Sequence, residues 1–147
     1  MHNDKISRQA WMPLGAALIF AISAFSPYSS IAAAADIKVT LAGDQEVPPV
    51  KSAGAGTGTI MIGADKSVSG SVTSTGIAGT AAHIHEAAPG KNGPVIVPLT
   101  KNGDTYAVPA GAKLTDAQFA SFQAGNLYVN VHTAANPGGE IRGQLKP

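Results

Sequence analysis

Leu127-Tyr128-Val129-Asn130-Val131-His132-Thr133 alternates apolar and polar side chains along its whole length, the pattern of a half-buried β-strand. Side chains two apart leave a strand on the same face. Leu127, Val129 and Val131 are therefore expected to face a core, with Tyr128, Asn130 and His132 on a polar face. Ala81 to Glu86 reads the same way: Ile84 points into the core, and His83 and His85 point together to the other side. The strand rise separates them by about 7 Å at Cα, a spacing at which two imidazoles can converge on one ion. All three histidines are predicted on outer, polar faces.

Working outward from these two strands, short alternating runs bounded by turn residues recur along the chain. Ile37, Val39 and Leu41 mark a first strand. Pro48 and Pro49 interrupt any ladder, and Ser52 to Gly58 reads as a glycine-rich loop. Thr57 to Ile62 and Ser67 to Ser74 form a hairpin across Gly63-Ala64-Asp65-Lys66. After the loop Ala88 to Pro94, the run Val95, Ile96, Val97 and Leu99 restarts the sheet, and Asn102-Gly103 signals a hairpin whose return strand is Thr105 to Val108. The last strand is Glu140 to Leu145. One helix is expected, from the capping box Thr115-Asp116-Ala117-Gln118 to the stop at Gly125, with Phe119 and Phe122 available to dock on the sheet. The spacing predicts an all-β Greek-key sandwich or barrel of about eight strands with one short helix.

Lys5 and Arg8 precede an apolar run from Leu14 to Phe25, and small residues surround a cut after Ala34 or Ala35. That is the pattern of a secretory signal peptide, 1–35, which leaves one domain over 36–147 without a stable membrane anchor. The expected location is periplasmic or secreted. The segment from Asp36 carries seven Lys and one Arg against five Asp and three Glu, no net charge with His neutral. A neutral domain lacks the basic surface that binds phosphate backbones, so nucleic acid is not an expected partner. There is no Cys, hence no disulfide, no thiol nucleophile and no lipid attachment. No Gly-x-Ser-x-Gly elbow or phosphate loop appears either.

His2 leaves with the leader, so His83, His85 and His132 are the histidines of the domain. Three imidazoles without a thiolate suit Cu(II), with zinc as the second choice. Arg142 is read either as a positive charge near such a site or as a structural partner of Glu86 or Glu140. Glu86 itself is read as a partner orienting a histidine or as a solvated strand-end carboxylate.

Ala82-His83-Ile84-His85-Glu86, with Gly90, Asn92, Gly93, Pro94 and Val95, resembles the CHRD domain, as does the ending Tyr128 to Thr133 with Asn136-Pro137-Gly138-Gly139-Glu140-Ile141-Arg142-Gly143-Gln144-Leu145. Leu41-Ala42-Gly43 to Glu46-Val47-Pro48-Pro49 is similar to the opening of that module. The resemblance covers essentially all of 36–147 and implies a β-sandwich domain of exported proteins. His83-Ile84-His85-Glu86 is also similar, more weakly, to the His-x-His-Glu strand of copper/zinc superoxide dismutases. By that likeness His83, His85 and His132 are copper ligands, Gly139 belongs to a glycine turn, and Arg142 is a catalytic residue guiding superoxide. The chain lacks that family's bridging histidine, its other zinc histidines and its disulfide.

These readings lead to an exported domain that binds copper through His83, His85 and His132 for copper handling or oxidative protection. The alternatives are a copper-only superoxide dismutase-like enzyme using Arg142, and a metal-free domain that binds another exported protein.

Overall fold

The computed structural model describes residues 35–147; the predicted leader, 1–35, lies outside them except for its last residue, Ala35. Nine strands form one antiparallel sheet: β1 (Ala35–Ala42), β2 (Ala55–Ile62), β3 (Val68–Thr75), β4 (Gly79–Glu86), β5 (Val95–Pro98), β6 (Thr100–Asn102), β7 (Thr105–Ala107), β8 (Leu127–Thr133) and β9 (Ile141–Leu145). Among the described residues the one α-helix, α1, covers Asp116–Gln123.

The strand order is β5-β4-β8-β9-β1-β2-β3-β7-β6. β5 and β6 are consecutive in the chain, with Leu99 alone between them, yet they occupy opposite ends of that order. Strands joined by one residue cannot lie far apart, so the sheet must curl until its edges meet. The Leu99 amide donates to the Ala82 carbonyl at 3.0 Å across the join. The expected sandwich or barrel is therefore a nearly closed barrel. Its ninth strand is Thr100–Asn102, the partner of β7 in the Asn102-Gly103 hairpin; its three side chains are all exposed, so it lacked the apolar alternation that marks a strand in sequence.

Alternation fills the interior. Ile37, Val39 and Leu41 of β1, Ile60 and Ile62 of β2, and Leu127, Val129 and Val131 of β8 are all buried. A fully buried aliphatic side chain contributes about 1.5–3 kcal/mol, and these rows supply most of the cohesion of a barrel without disulfides. β2 begins at Ala55, so the loop expected from Ser52 to Gly58 ends earlier. The glycines there are strand residues in crowded places. A Cβ on Gly58 would lie 2.2 Å from the Ser71 carbonyl oxygen, and one on Gly56 would lie 3.1 Å from Ile141 Cδ1. Neighbouring strands fill the space a side chain would take.

Helix α1 starts where its capping box predicts. The Gln118 amide donates to Thr115 Oγ1 at 3.2 Å, and the Thr115 amide donates to Gln118 Oε1 at 2.9 Å; such a cap contributes about 1 kcal/mol. Phe122 is buried and Phe119 packs partly against the core. The Ser121 hydroxyl donates to Glu86 Oε1 at 2.5 Å, fastening the helix to the end of β4. Glu86 is thus a link to α1, and among the described residues its carboxylate has no hydrogen bond to a histidine.

Candidate metal centre

β4 and β8 are neighbours, and their register sets His83 opposite Asn130, His85 opposite Tyr128, and Ala81 opposite His132. His83 and His132 are diagonal neighbours on one face, within reach of long side chains. The polar face continues onto β9, where Arg142 pairs with Asn130 and Gln144 with Tyr128. On the other side β5 carries a bulge between the partners of Ile84 and His85, a device that re-aims side chains at the edge of a site.

This face is polar, as its alternation requires, but it is not an outer one. His85 is 7% exposed, Tyr128 2%, Asn130 1% and Arg142 1%, while His83 and His132 are half-buried. Three loops roof the face: 43–50, 87–94 and 134–139. The polar side chains hold them there. Arg142 Nη1 donates to the Lys91 carbonyl at 2.9 Å, and Gln144 Nε2 donates to the Ala87 carbonyl at 3.0 Å. Asn92 Nδ2 donates to the Val47 carbonyl at 2.6 Å, joining two of the loops. Alternation locates the polar face of a strand; it carries no information about a loop that later covers it.

Beneath this roof the three imidazoles converge. One nitrogen from each of His83, His85 and His132 lies within 4.8 Å of the others; ligands about 2 Å from one ion lie at most about 4 Å apart, so a slight inward shift of the rings would close the set on an ion. His85 Nδ1 faces the Gly93 carbonyl at 2.9 Å, and His132 Nδ1 faces the Pro137 carbonyl at 2.9 Å. A carbonyl can only accept, so both Nδ1 atoms carry the proton and both neutral rings present a bare Nε2. His132 Nε2 accepts from His83 Nδ1 at 2.9 Å. His85 Nε2 is buried without a partner. A buried lone pair left unmatched beside two other imidazoles is what a metal-binding nitrogen requires, and backbone carbonyls on the opposite ring atoms are the usual way of fixing the tautomer.

The site also favours the neutral, ligating form of the rings. Burial, then the proximity of His132 and His85, pushes His83 below the ordinary imidazole value. Burial likewise lowers His85, although the Gly93 carbonyl partly offsets it. The His85 ring lies parallel to the Tyr128 ring, with centroids 4.8 Å apart and 7° between planes. The Arg142 guanidinium sits 3.4 Å from the centre of the same Tyr128 ring. Because β8 runs between β4 and β9, Tyr128 is sandwiched between imidazole and guanidinium, a stack that immobilises His85.

Arg142 therefore meets neither of the carboxylates expected for it. Glu86 is engaged with Ser121, and Glu140 accepts from Ser52 Oγ at 2.8 Å, from Asn136 Nδ2 at 3.0 Å and from the Thr133 hydroxyl. The carboxylate that acts on Arg142 is Glu46, 4% exposed, whose Oε1 accepts from Asn130 Nδ2 at 3.4 Å. Burial raises the Glu46 carboxyl above its ordinary value, against the lowering influence of Asn130 and Arg142.

Glu46, Gly93 and the Pro137 carbonyl are parts of the site that the spacing of histidines did not reveal. Their signal lay in the loop glycines. Gly139 has φ +131°, and a Cβ there would lie 2.4 Å from Glu46 Oε1 and 2.5 Å from Asn130 Nδ2. A Cβ on Gly93 would lie 1.9 Å from the Glu86 carbonyl oxygen. Gly139 is needed because its loop passes directly against the polar face, and Gly93 because its loop passes against the backbone at the end of β4.

Compared with known proteins, residues 37–145 match the family model described as the CHRD domain. No curated protein and no solved structure matches the chain.

Proposed function

From the premise that this chain belongs to the CHRD domain family, we propose that it is an exported metal-binding domain whose ligands are His83, His85 and His132. The observation that carries this reading is the pair of tautomers held by the Gly93 and Pro137 carbonyls, which leave a bare Nε2 on His85 and on His132 within the cluster of three imidazoles. Copper is the first choice of metal, since an all-imidazole set without thiolate or carboxylate suits it and divalent affinities peak at copper; zinc is the second. Half-buried His83 and His132 leave the centre within reach of solvent, so an ion could be received from, or passed to, another exported protein. The leader pattern at 1–35 supports export, and among the described residues no helix is long and apolar enough to cross a membrane.

Titration of the protein with Cu(II), and with Cu(I) under reductant, tests the proposal. One equivalent should bind to the wild type and none tightly to His83→Ala/His85→Ala; equal uptake by both proteins would remove the three-histidine assignment.

A second reading is a copper-only superoxide dismutase-like enzyme. Copper would supply one-electron chemistry there, and the solvent-reachable face of the centre favours access by a small oxidant. Arg142 would have to act through Tyr128, on which its guanidinium lies, as a positioning group and a source of positive potential. Superoxide consumption by the copper-loaded protein that is no faster than that by free copper would eliminate this reading and leave copper handling.

A further inference from the structure

Four charged residues surround a pocket of about 540 Å³ on the side of the barrel where β9 meets the 43–50 loop: Asp44, Glu46, Arg142 and Lys146. Two are anionic and two cationic. Among the described residues one ion pair lies within 4.0 Å, Lys66 with Asp116, so none of the four is paired with another. For Asp44 and Lys146 this is unremarked, because both are exposed. Glu46 and Arg142 are different, since both are almost wholly buried, and a buried charge is costly unless paired and fully hydrogen-bonded.

Arg142 is only partly satisfied. Its Nη1 is used by Lys91 and Asn92 and its Nη2 by Gln144; its other N–H groups have no protein partner among the described residues and, since none is a fully buried unmatched atom, they open to solvent. Glu46 has one long side-chain bond, to Asn130. Both groups line the same pocket, whose remaining walls include Val47, Pro49 and Pro89. Its volume falls within the range of about 300–1,000 Å³ typical of small-molecule sites, and apolar walls around a few convergent polar groups are the usual lining of such sites.

We propose that this pocket binds a small zwitterion of about dipeptide size, with its carboxylate on Arg142 and Lys146, its ammonium on Glu46 and Asp44, and an aliphatic side chain against the two prolines. A ligand with one charge would satisfy one pair and desolvate the other. A zwitterion pairs both at once, and it completes the hydrogen bonding that Glu46 and Arg142 lack. The pocket shares Glu46 and Arg142 with the surroundings of the metal centre but contains none of the three imidazoles, and binding there does not depend on metal.

Calorimetric titration of the chelator-treated protein tests it with three probes: glycyl-leucine, N-acetylglycyl-leucine and glycyl-leucine amide. The zwitterion should bind about tenfold tighter than either singly charged analogue. Asp44→Asn and Lys146→Gln, both at exposed positions, should each weaken glycyl-leucine several-fold with no change in melting temperature, while Asp104→Asn in the β6–β7 turn leaves it unchanged. Absence of binding at millimolar glycyl-leucine, or equal affinity for the three probes, would overturn the proposal.

Discussion

The barrel has two polar faces built from the same alternating sequence pattern, with opposite fates. On β1, β2 and β3 the outward residues Lys38, Thr40, Thr57 and Thr73 are exposed, and their few side-chain bonds are local, such as Lys38 Nζ to Thr59 Oγ1 at 2.8 Å. On β4, β8 and β9 the equivalent residues His85, Tyr128, Asn130 and Arg142 are buried under three loops. Water can satisfy the first face. On the second, each polar atom must find a protein partner or be left without one, and the unmatched atoms, His85 Nε2 and Asn130 Oδ1, mark where a ligand would be accommodated. A roof turns a strand face into a site.

The largest way to break this difference is to lift the roof. Gly139→Ala puts a Cβ against Glu46 and Asn130 at a φ that side chains rarely adopt, and should cost about 4 kcal/mol in urea unfolding. Thr73→Ala on the open face should stay within about 0.5 kcal/mol, so similar losses for the two variants would mean the faces do not differ energetically. Next comes Arg142→Ala, which removes the guanidinium from Tyr128 and from the Lys91 carbonyl and takes away a positive charge that lowers the Glu46 carboxyl; about 3 kcal/mol is expected, read from the same unfolding curves. A loss under about 1 kcal/mol would show that the 87–94 loop is held by other groups.

Tyr128→Phe is a smaller probe. It keeps the ring between His85 and Arg142 and deletes only the hydroxyl that accepts from the Gly93 amide at 3.3 Å, for an expected cost of about 1 kcal/mol. Copper uptake should persist, because the stack survives. The smallest effect is one that pH switches off. Hydrogen bonds from Thr133, then Asn136 and Ser52, hold the Glu140 carboxyl below its ordinary value of 4.5. The stabilisation from a depressed carboxylate is complete above that unfolded-state value and is lost as pH falls through the folded one. The melting temperature of Glu140→Gln should therefore lie below that of the wild type at pH 7, and the gap should close as pH is lowered below 4.5. A gap independent of pH would assign the effect to packing.

Much of the fold is legible in the sequence. Ile37 to Leu41, Thr57 to Ile62 and Leu127 to Thr133 declare themselves by period-two burial, and Thr115-Gln118 declares the helix by cap chemistry, since both signals are local. Ala55 and Thr100–Asn102 did not, because their strand character comes from neighbouring strands and not from their own side chains. The site divides in the same way. His83 and His85 share a face by strand geometry alone, whereas their meeting with His132 depends on the β4–β8 register, which brings the rings of His83 and His132, 49 residues apart in the chain, together.

The amino-acid sequence by itself determined that this domain is all-β, has no net charge from Asp36 onward, has no thiol chemistry, and carries a His-x-His strand and a later histidine on polar strand faces. Those properties follow from composition and from the alternation of adjacent residues. Only the tertiary structure decided that the three rings converge, that carbonyls of the 87–94 and 134–139 loops select their tautomers, and that Arg142 lies on Tyr128 with Glu46 as the carboxylate acting on it. Each of these joins residues distant in the chain through a barrel closure that brings β5 to β6, and local pattern does not encode such long-range contacts.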